Sequence, residues 1–238
     1  MISKQELKFV KSLSQKKFRD EHSMFIIEGE KLLHEAERSG ATILKVYKRD
    51  EIGEDAMARI SLLSSPSPVL AVIKMEENEG LVKPDEEKLH LVIDSVKDPG
   101  NLGTIIRIAD WFSINNIYIS SGSVEVYNPK CVQATMGAIF RVNVQYTNLK
   151  ELIGGSIKKM PVYGTFLAAK SIYETQLERR GLIVLGSESD GISEEITSLI
   201  KTKITIPPYP PESTRGESLN VAVATAIVLA EFRRPFGA

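Results

Sequence analysis

Apolar positions along the chain follow two regimes. Up to about residue 75, short apolar runs are separated by charged segments of helical period. Leu7, Val10 and Leu13 recur at three-residue spacing among lysines and predict one weakly amphipathic basic helix over residues 1–19. The run Met24-Phe-Ile-Ile turns into a helical pattern that stops before Gly40. Residues 43–47 and 69–73 read as strands, with a helix-like stretch over 54–63 between them. From residue 89 onward the alternation is regular. Strands are predicted at 89–94, 116–120, 140–146, 161–166, 182–186 and 203–206. Helices are predicted at 102–112, 129–138, 148–159 and 193–200, with one more at the end. Strand–helix alternation implies a parallel sheet with helices on both faces. Between the regimes, residues 74–88 are acidic and polar and are broken by Gly80 and Pro84. The expected organisation is a basic helix and small α/β domain (1–75), a linker (76–88) and a parallel-sheet domain (89–238).

The last apolar stretch is the most unusual. From Val221 to Ala230 every residue except Thr225 is apolar, so the pattern predicts a helix buried on all sides. Ser218 and Asn220 are N-cap residue types and predict its start. The preceding stretch, residues 206–216, has four prolines within five residues and must be a loop.

Composition narrows the function classes. The 238 residues are 42% hydrophobic and 26% charged with net charge −1, so any nucleic-acid surface must be local. The basic excess lies at the start: Lys4, Lys8, Lys11, Lys16, Lys17 and Arg19 against Glu6 alone. A solvated helix face and a phosphate-contacting patch are both open readings of it. The one cysteine, Cys131, suits a reducing compartment, and the three scattered histidines form no zinc spacing, so no metal is expected. No apolar run reaches membrane-spanning length, and no secretory leader precedes the first helix, so a cytoplasmic protein is expected.

Ligands of open parallel sheets bind beyond the carboxyl ends of the strands. The glycine-rich signatures of dinucleotide and P-loop sites are absent. Three other segments fall on those loops. In Asp94-Ser-Val-Lys-Asp-Pro-Gly-Asn-Leu-Gly-Thr-Ile-Ile-Arg107, Asn101 can cap a helix and Gly103 permits close approach. Arg107, flanked by Ile105, Ile106, Ile108 and Ala109, reads as a buried guanidinium in need of a partner. In Val184-Leu-Gly-Ser-Glu-Ser-Asp-Gly-Ile-Ser193, Glu188 stands between two glycines. The third segment is Arg215-Gly-Glu-Ser-Leu-Asn220.

Together these segments resemble the motifs of the SpoU family of RNA ribose 2′-O-methyltransferases, TrmH-like members of the SPOUT superfamily. Asn-x-Gly-x-x-x-Arg stands as Asn101, Gly103 and Arg107, and Gly-x-Glu-x-x-Gly as Gly186, Glu188 and Gly191. Ser-Leu-Asn-Val-x-x-Ala stands as Ser218, Leu219, Asn220, Val221 and Ala224. Met136-Gly-Ala-Ile-Phe-Arg141 resembles the family's Gly-Ala-x-Phe-Arg segment, and Phe25-Ile-Ile-Glu-Gly-Glu-Lys31 the start of its small RNA-binding domain.

The resemblance implies a C-terminal trefoil knot and a homodimer whose active site takes residues from both subunits. It implies S-adenosyl-L-methionine held by Thr165, Phe166, Leu167, Gly186, Ser187, Glu188, Gly191, Ile206, Pro207, Ser218, Leu219 and Asn220. Arg107 would be the catalytic centre. Asn101 and Glu188 would orient it, and Ser218 and Asn220 would position ribose or cofactor. Lys4, Lys8, Lys11, Lys16, Lys17 and Arg19 would contact RNA, ribosomal or transfer. A catalytically silent RNA-binding or ribosome-assembly protein, or a knotted base methyltransferase, would share the scaffold.

Overall fold

The computed structural model describes residues 2–76, 80–210 and 218–235. The stretch expected to be one basic helix folds as two, α1 (Lys4–Ser12) and α2 (Lys16–His22). The break has a visible cause: Arg19 turns back and its Nη1 donates to the carbonyls of Leu13 and Ser14, at 2.8 Å each, satisfying the carboxyl end of α1. The rest of the small domain is β1 (Met24–Glu28), α3 (Glu30–Ser39), β2 (Ile43–Lys48), α4 (Arg49–Ile52), α5 (Glu54–Ile60) and β3 (Val69–Lys74). Its sheet is antiparallel in the order β1-β3-β2.

The second part runs β4 (Leu89–Ile93), α6 (Pro99–Trp111), β5 (Asn116–Ile119), α7 (Pro129–Thr135), β6 (Asn143–Tyr146), α8 (Leu149–Ser156), β7 (Val162–Ser171), β8 (Gly181–Leu185), α9 (Glu194–Thr197), β9 (Thr202–Thr205) and α10 (Val221–Arg233). Six parallel strands lie in the order β6-β5-β4-β8-β7-β9. The central strands β4 and β8 are buried along their whole length, which explains why His90 is the one polar side chain in either of them. One core cluster packs α6 and α10 on one face, and another packs α8 and α9 on the other.

Three expectations need correction. Residues 138–140 form a 3₁₀ turn, not the start of β6, because α7 ends at Met136 in a left-handed conformation. α6 begins at Pro99, with Asp98 as N-cap accepting from the Asn101 amide at 2.8 Å. Proline at the first helical position is preorganised for this start, and it leaves the Asn101 side chain free for another partner. α10 is not buried on all sides within the chain: Val221, Thr225, Val228, Leu229 and Phe232 face the core, whereas Val223 is 50% exposed. The Arg215–Glu217 part of the third motif and Pro211, the last of the four loop prolines, lie outside the described residues.

The small antiparallel sheet and the parallel sheet are joined by side-chain contacts. Arg19, 2% exposed, makes a forked pair with Glu125 of the second domain: Nε to Oε1 at 3.0 Å and Nη2 to Oε2 at 2.6 Å. Four bonds occupy this guanidinium, so Arg19 is a domain staple and is not available to RNA phosphates, contrary to expectation. Phe25 of β1 packs against Tyr127 with ring centroids 4.7 Å apart. Gln145 grips the linker, accepting from Val82 N at 2.9 Å and donating to Gly80 O.

His90 in β4 is a titratable group buried in the core. Its Nε2 donates to the Asp85 carbonyl at 3.0 Å, while the buried Nδ1 has no partner among the described residues. Burial holds this imidazole below its ordinary value, despite the opposing pull of Asp85. The unfolded chain takes up a proton near pH 6.5, while the folded chain resists it. This contribution to stability is therefore full above that pH and lost as pH falls below it. Urea midpoints measured between pH 7.5 and 5.5 should decline on the acid side, and His90→Phe should flatten that decline.

Candidate active site

Three segments that follow β4, β8 and β9 meet at one carboxylate oxygen at the carboxyl rim of the sheet. Glu188 Oε1 accepts from Asn101 Nδ2 at 2.7 Å, from Asn220 Nδ2 at 2.9 Å and from the Val221 amide at 3.2 Å. Asn220 Nδ2 also donates to Asn101 Oδ1 at 2.9 Å, which closes the triangle. Asn220 Oδ1 accepts from the amides of Ala222 and Val223, so the side-chain cap expected for α10 is present. That cap fixes which way the Asn220 amide faces, and hence which of its atoms reaches Glu188. The helix N-terminus adds favourable charge beneath the carboxylate.

The loop presenting Glu188 is closed by reciprocal bonds between Ser187 and Gly191, at 3.1 and 3.0 Å. A Cβ on Gly186 would lie 2.0 Å from the Gly191 carbonyl carbon, so only glycine permits the crossing. Gly103 serves packing: a Cβ there would lie 2.4 Å from the Cys131 carbonyl oxygen of α7. Reasoning from sequence missed Asp94. Its buried carboxylate accepts from the Ser193 amide at 2.9 Å and from Ser95 Oγ at 3.0 Å, tying the far side of the Glu188 loop to the end of β4. The available signal was a carboxylate ending a buried apolar strand, which needs donors.

The expected cofactor residues occupy the same rim. Phe166 and Leu167 follow Thr165 on β7, beside Gly186 at the end of β8. Thr205 Oγ1 donates to the Leu167 carbonyl at 3.2 Å, joining β7 to the strand that ends just before Ile206 and Pro207. Ser218 Oγ lies 3.5 Å from the Glu188 carbonyl. Leu167 and Leu219 are 80% and 48% exposed, giving uncovered apolar side chains beside the polar triangle. An apolar rim with a few fixed polar groups suits a nucleoside-type ligand.

Arg107 departs from expectation. It lies on the exposed side of α6 and makes no hydrogen bond or ion pair with any described residue. Glu188 and Asn101 bond to each other and to Asn220 instead of orienting Arg107. One helical turn on, Trp111 is 84% exposed. The basic set is also divided: Lys11 donates to the Ser61 carbonyl at 2.9 Å, Lys16 pairs with Asp20, and Arg19 is buried. Lys4, Lys8 and Lys17 remain exposed without an ion pair among the described residues. No group of three or more His, Cys, Asp or Glu able to hold a metal occurs among the described residues, and no described helix is long and apolar enough to cross a membrane. A cleft of about 600 Å³ opens between the domains beside Phe25, Tyr127 and Phe140, away from the Glu188 triangle.

The chain thus joins a six-stranded parallel sheet, with a polar triangle at its carboxyl rim, to a small antiparallel sheet that precedes it. Residues 88–230 match the model of the SpoU rRNA methylase family, and residues 4–72 match an MRM3-like substrate-binding domain. The chain belongs to the SpoU rRNA methylase family. It is 32% identical to the 23S rRNA (guanosine(2553)-2′-O)-methyltransferase RlmP of Bacillus subtilis, over 96% of each chain. Its fold matches a TrmH-family structure from Porphyromonas gingivalis (TM-score 0.84, 36% identity, 98% of each chain). It also matches an AdoMet-bound rRNA methyltransferase from Sinorhizobium meliloti (TM-score 0.84, 27% identity, 98% of this chain and 96% of that one).

The triangle predicts a contrast between two substitutions. Asn220→Ala removes the cap and two donors and should destabilise by about 1–2 kcal/mol in chemical denaturation. Asn220→Asp keeps an N-cap acceptor but sets a second carboxylate against Glu188. Repulsion raises the carboxylate pKa in the fold, so its penalty should be full at neutral pH and should fade as pH falls towards 4.

Proposed function

We propose that this protein transfers a methyl group from S-adenosyl-L-methionine to a ribose 2′-hydroxyl of RNA, with ribosomal RNA as the substrate class. The observation that carries this reading is the convergence of Asn101, Glu188 and Asn220 on one rim within a chain of the SpoU family. The Sinorhizobium relative's bound AdoMet supports the cofactor, and the Bacillus relative's named activity supports the ribosomal substrate.

S-adenosyl-L-methionine supplies a methyl carbon activated by its sulfonium, and the reaction is an in-line displacement by the ribose oxygen. The protein's part is alignment, which lowers the barrier by removing orientational freedom before reaction. Leu167, Leu219 and the backbone of 165–167, 186–191, 206–207 and 218–220 would hold the cofactor. Glu188 Oε1 is occupied by three donors, while Oε2 has no partner among the described residues and can accept from a ligand. Arg107 is a planar donor that can clamp a phosphate and the adjacent ribose oxygen. Lys4, Lys8 and Lys17 would contact the RNA backbone, which reads charge rather than sequence. The reducing cytoplasm fits both the RNA substrate and the one buried thiol.

A homodimer completes the site in this reading. α6 and α10 pack together, and each leaves an apolar residue outward, Trp111 and Val223. Arg107 shares the exposed side of α6 with Trp111 and misses Glu188 of its own chain, so a second copy on this face would bring Arg107 to the partner's site. The trefoil knot implied by the family resemblance belongs to the same reading.

The direct test incubates the protein with labelled S-adenosyl-L-methionine and unmodified 23S rRNA transcript, then digests the RNA to nucleosides. A 2′-O-methylated nucleoside is expected. A base-methylated product, or no transfer, would select the base-methyltransferase or silent-scaffold reading. Arg107→Ala and Arg107→Lys should each cut transfer by about 100-fold or more, because a point charge cannot reproduce the fork. Cofactor affinity should stay within about twofold in calorimetry, and near-normal turnover in the lysine variant would reject the clamp.

The assembly has its own test. Val223→Asp should leave a folded chain, since that side chain already faces outward, but an unpaired charge in an apolar interface should give an inactive monomer in sedimentation. An active monomer would remove the dimer from this account.

A further inference from the structure

The Gly-Ala-x-Phe-Arg segment takes no part in that chemistry, yet it is built with little tolerance. Gly137 has φ +98°, and a Cβ on it would lie 2.6 Å from Glu35 Cγ on α3 of the small domain. Both the backbone conformation and the space exclude a side chain there. Ala138 is buried, and the Phe140 ring lies 6.4 Å from that of Phe25 on β1. Arg141 then joins three elements. Its Nε lies 3.1 and 3.0 Å from the two carboxylate oxygens of Asp110, and Nη2 donates to Oδ2 at 2.8 Å. Its Nη1 donates to Glu35.

Asp110 stands on α6 three residues after Arg107. A single guanidinium therefore connects the small domain's α3 with the helix that carries the proposed RNA clamp. The fork on Asp110 fixes direction as well as distance, which a lysine could not do. The Arg19–Glu125 staple joins α2 to the loop before α7 separately, at 2.6 Å. Loosening Arg141 would thus leave the small domain attached but change its angle.

We propose that residues 137–141 form a positioning seam, which sets the angle between the RNA-holding domain and α6, with Arg141 as the positioning residue that transmits this angle to Arg107. The role rests on the reading of Arg107 and the small domain given above. RNA seated on the small domain reaches the reacting ribose through a rigid path, and a small error in that path displaces the 2′-oxygen from the line of attack.

The test uses the full-length protein as Arg141→Ala, Arg141→Lys, Glu35→Gln and the double variant Glu35→Gln/Arg141→Ala. Transfer to unmodified 23S rRNA transcript, cofactor affinity by calorimetry and the scattering profile of the free protein are measured for each. The kcat/KM for RNA should fall about tenfold in Arg141→Ala, with the double variant no worse, because both changes break one bridge. Arg141→Lys should recover part of the loss, cofactor affinity should stay within about twofold, and scattering should show a broader spread of domain positions. Unchanged kcat/KM, additive losses in the double variant, or a parallel loss of cofactor binding would overturn the seam. Where wild-type protein transfers nothing to RNA, the proposed function fails on its own. Scattering then decides the seam, and a profile identical in wild type and Arg141→Ala would end it.

Discussion

The site depends on one carboxylate oxygen that has to satisfy three donors from two other segments of the chain. Asn101 follows β4, Glu188 follows β8, and Asn220 opens α10. Asn101 and Asn220 stand at the starts of two packed helices, whereas the Glu188 loop is polar and exposed and apolar packing does not fix its position. The Glu188 triangle supplies that constraint, and charge-assisted hydrogen bonds are the kind strong enough to do so. The supports follow from it. Gly186 lets the loop cross itself, Asp94 holds its far side, and Asp98 rather than Asn101 caps α6 so that Asn101 can turn to Glu188.

Beneath the triangle lies a division of labour between faces. β4 and β8, apolar along their length, carry the site at their ends and tolerate nothing polar except a satisfied group. His90 is the exception within β4, with an Nδ1 that has no partner among the described residues. α10 buries one side in the core and leaves Val223 exposed on the other, the side that the proposed homodimer would use for assembly. Arg107 and Trp111 place α6 on that same outward surface.

Much of this was legible in the sequence, for reasons that differ by element. The parallel sheet was readable because buried central strands leave apolar runs between helix-period segments. Asn220 was readable as a cap because its residue type and its place before an apolar run have one common explanation. Arg107 was misjudged: its isoleucine neighbours face inward, and helical geometry sends the residue between them outward. Arg19 was misjudged because a charge count cannot distinguish a solvated arginine from one folded back onto its own helix end and a distant glutamate. The docking of the domains was likewise hidden, since Phe25 meets Tyr127, and Glu35 meets Arg141, across about a hundred residues of chain.

The wide separation of the triangle's members also bears on when activity can arise during synthesis. A nascent chain made as far as Glu188 already contains β4, α6 and the paired strand β8, with Asn101 and the carboxylate in reach of each other. It still lacks Asn220 and the amide of Val221, and with them two of the three donors to that oxygen. The sheet can therefore fold ahead of the site. Ribosomes translating this message would carry a domain that is structurally advanced while the Glu188 triangle is still incomplete, until the last helix docks.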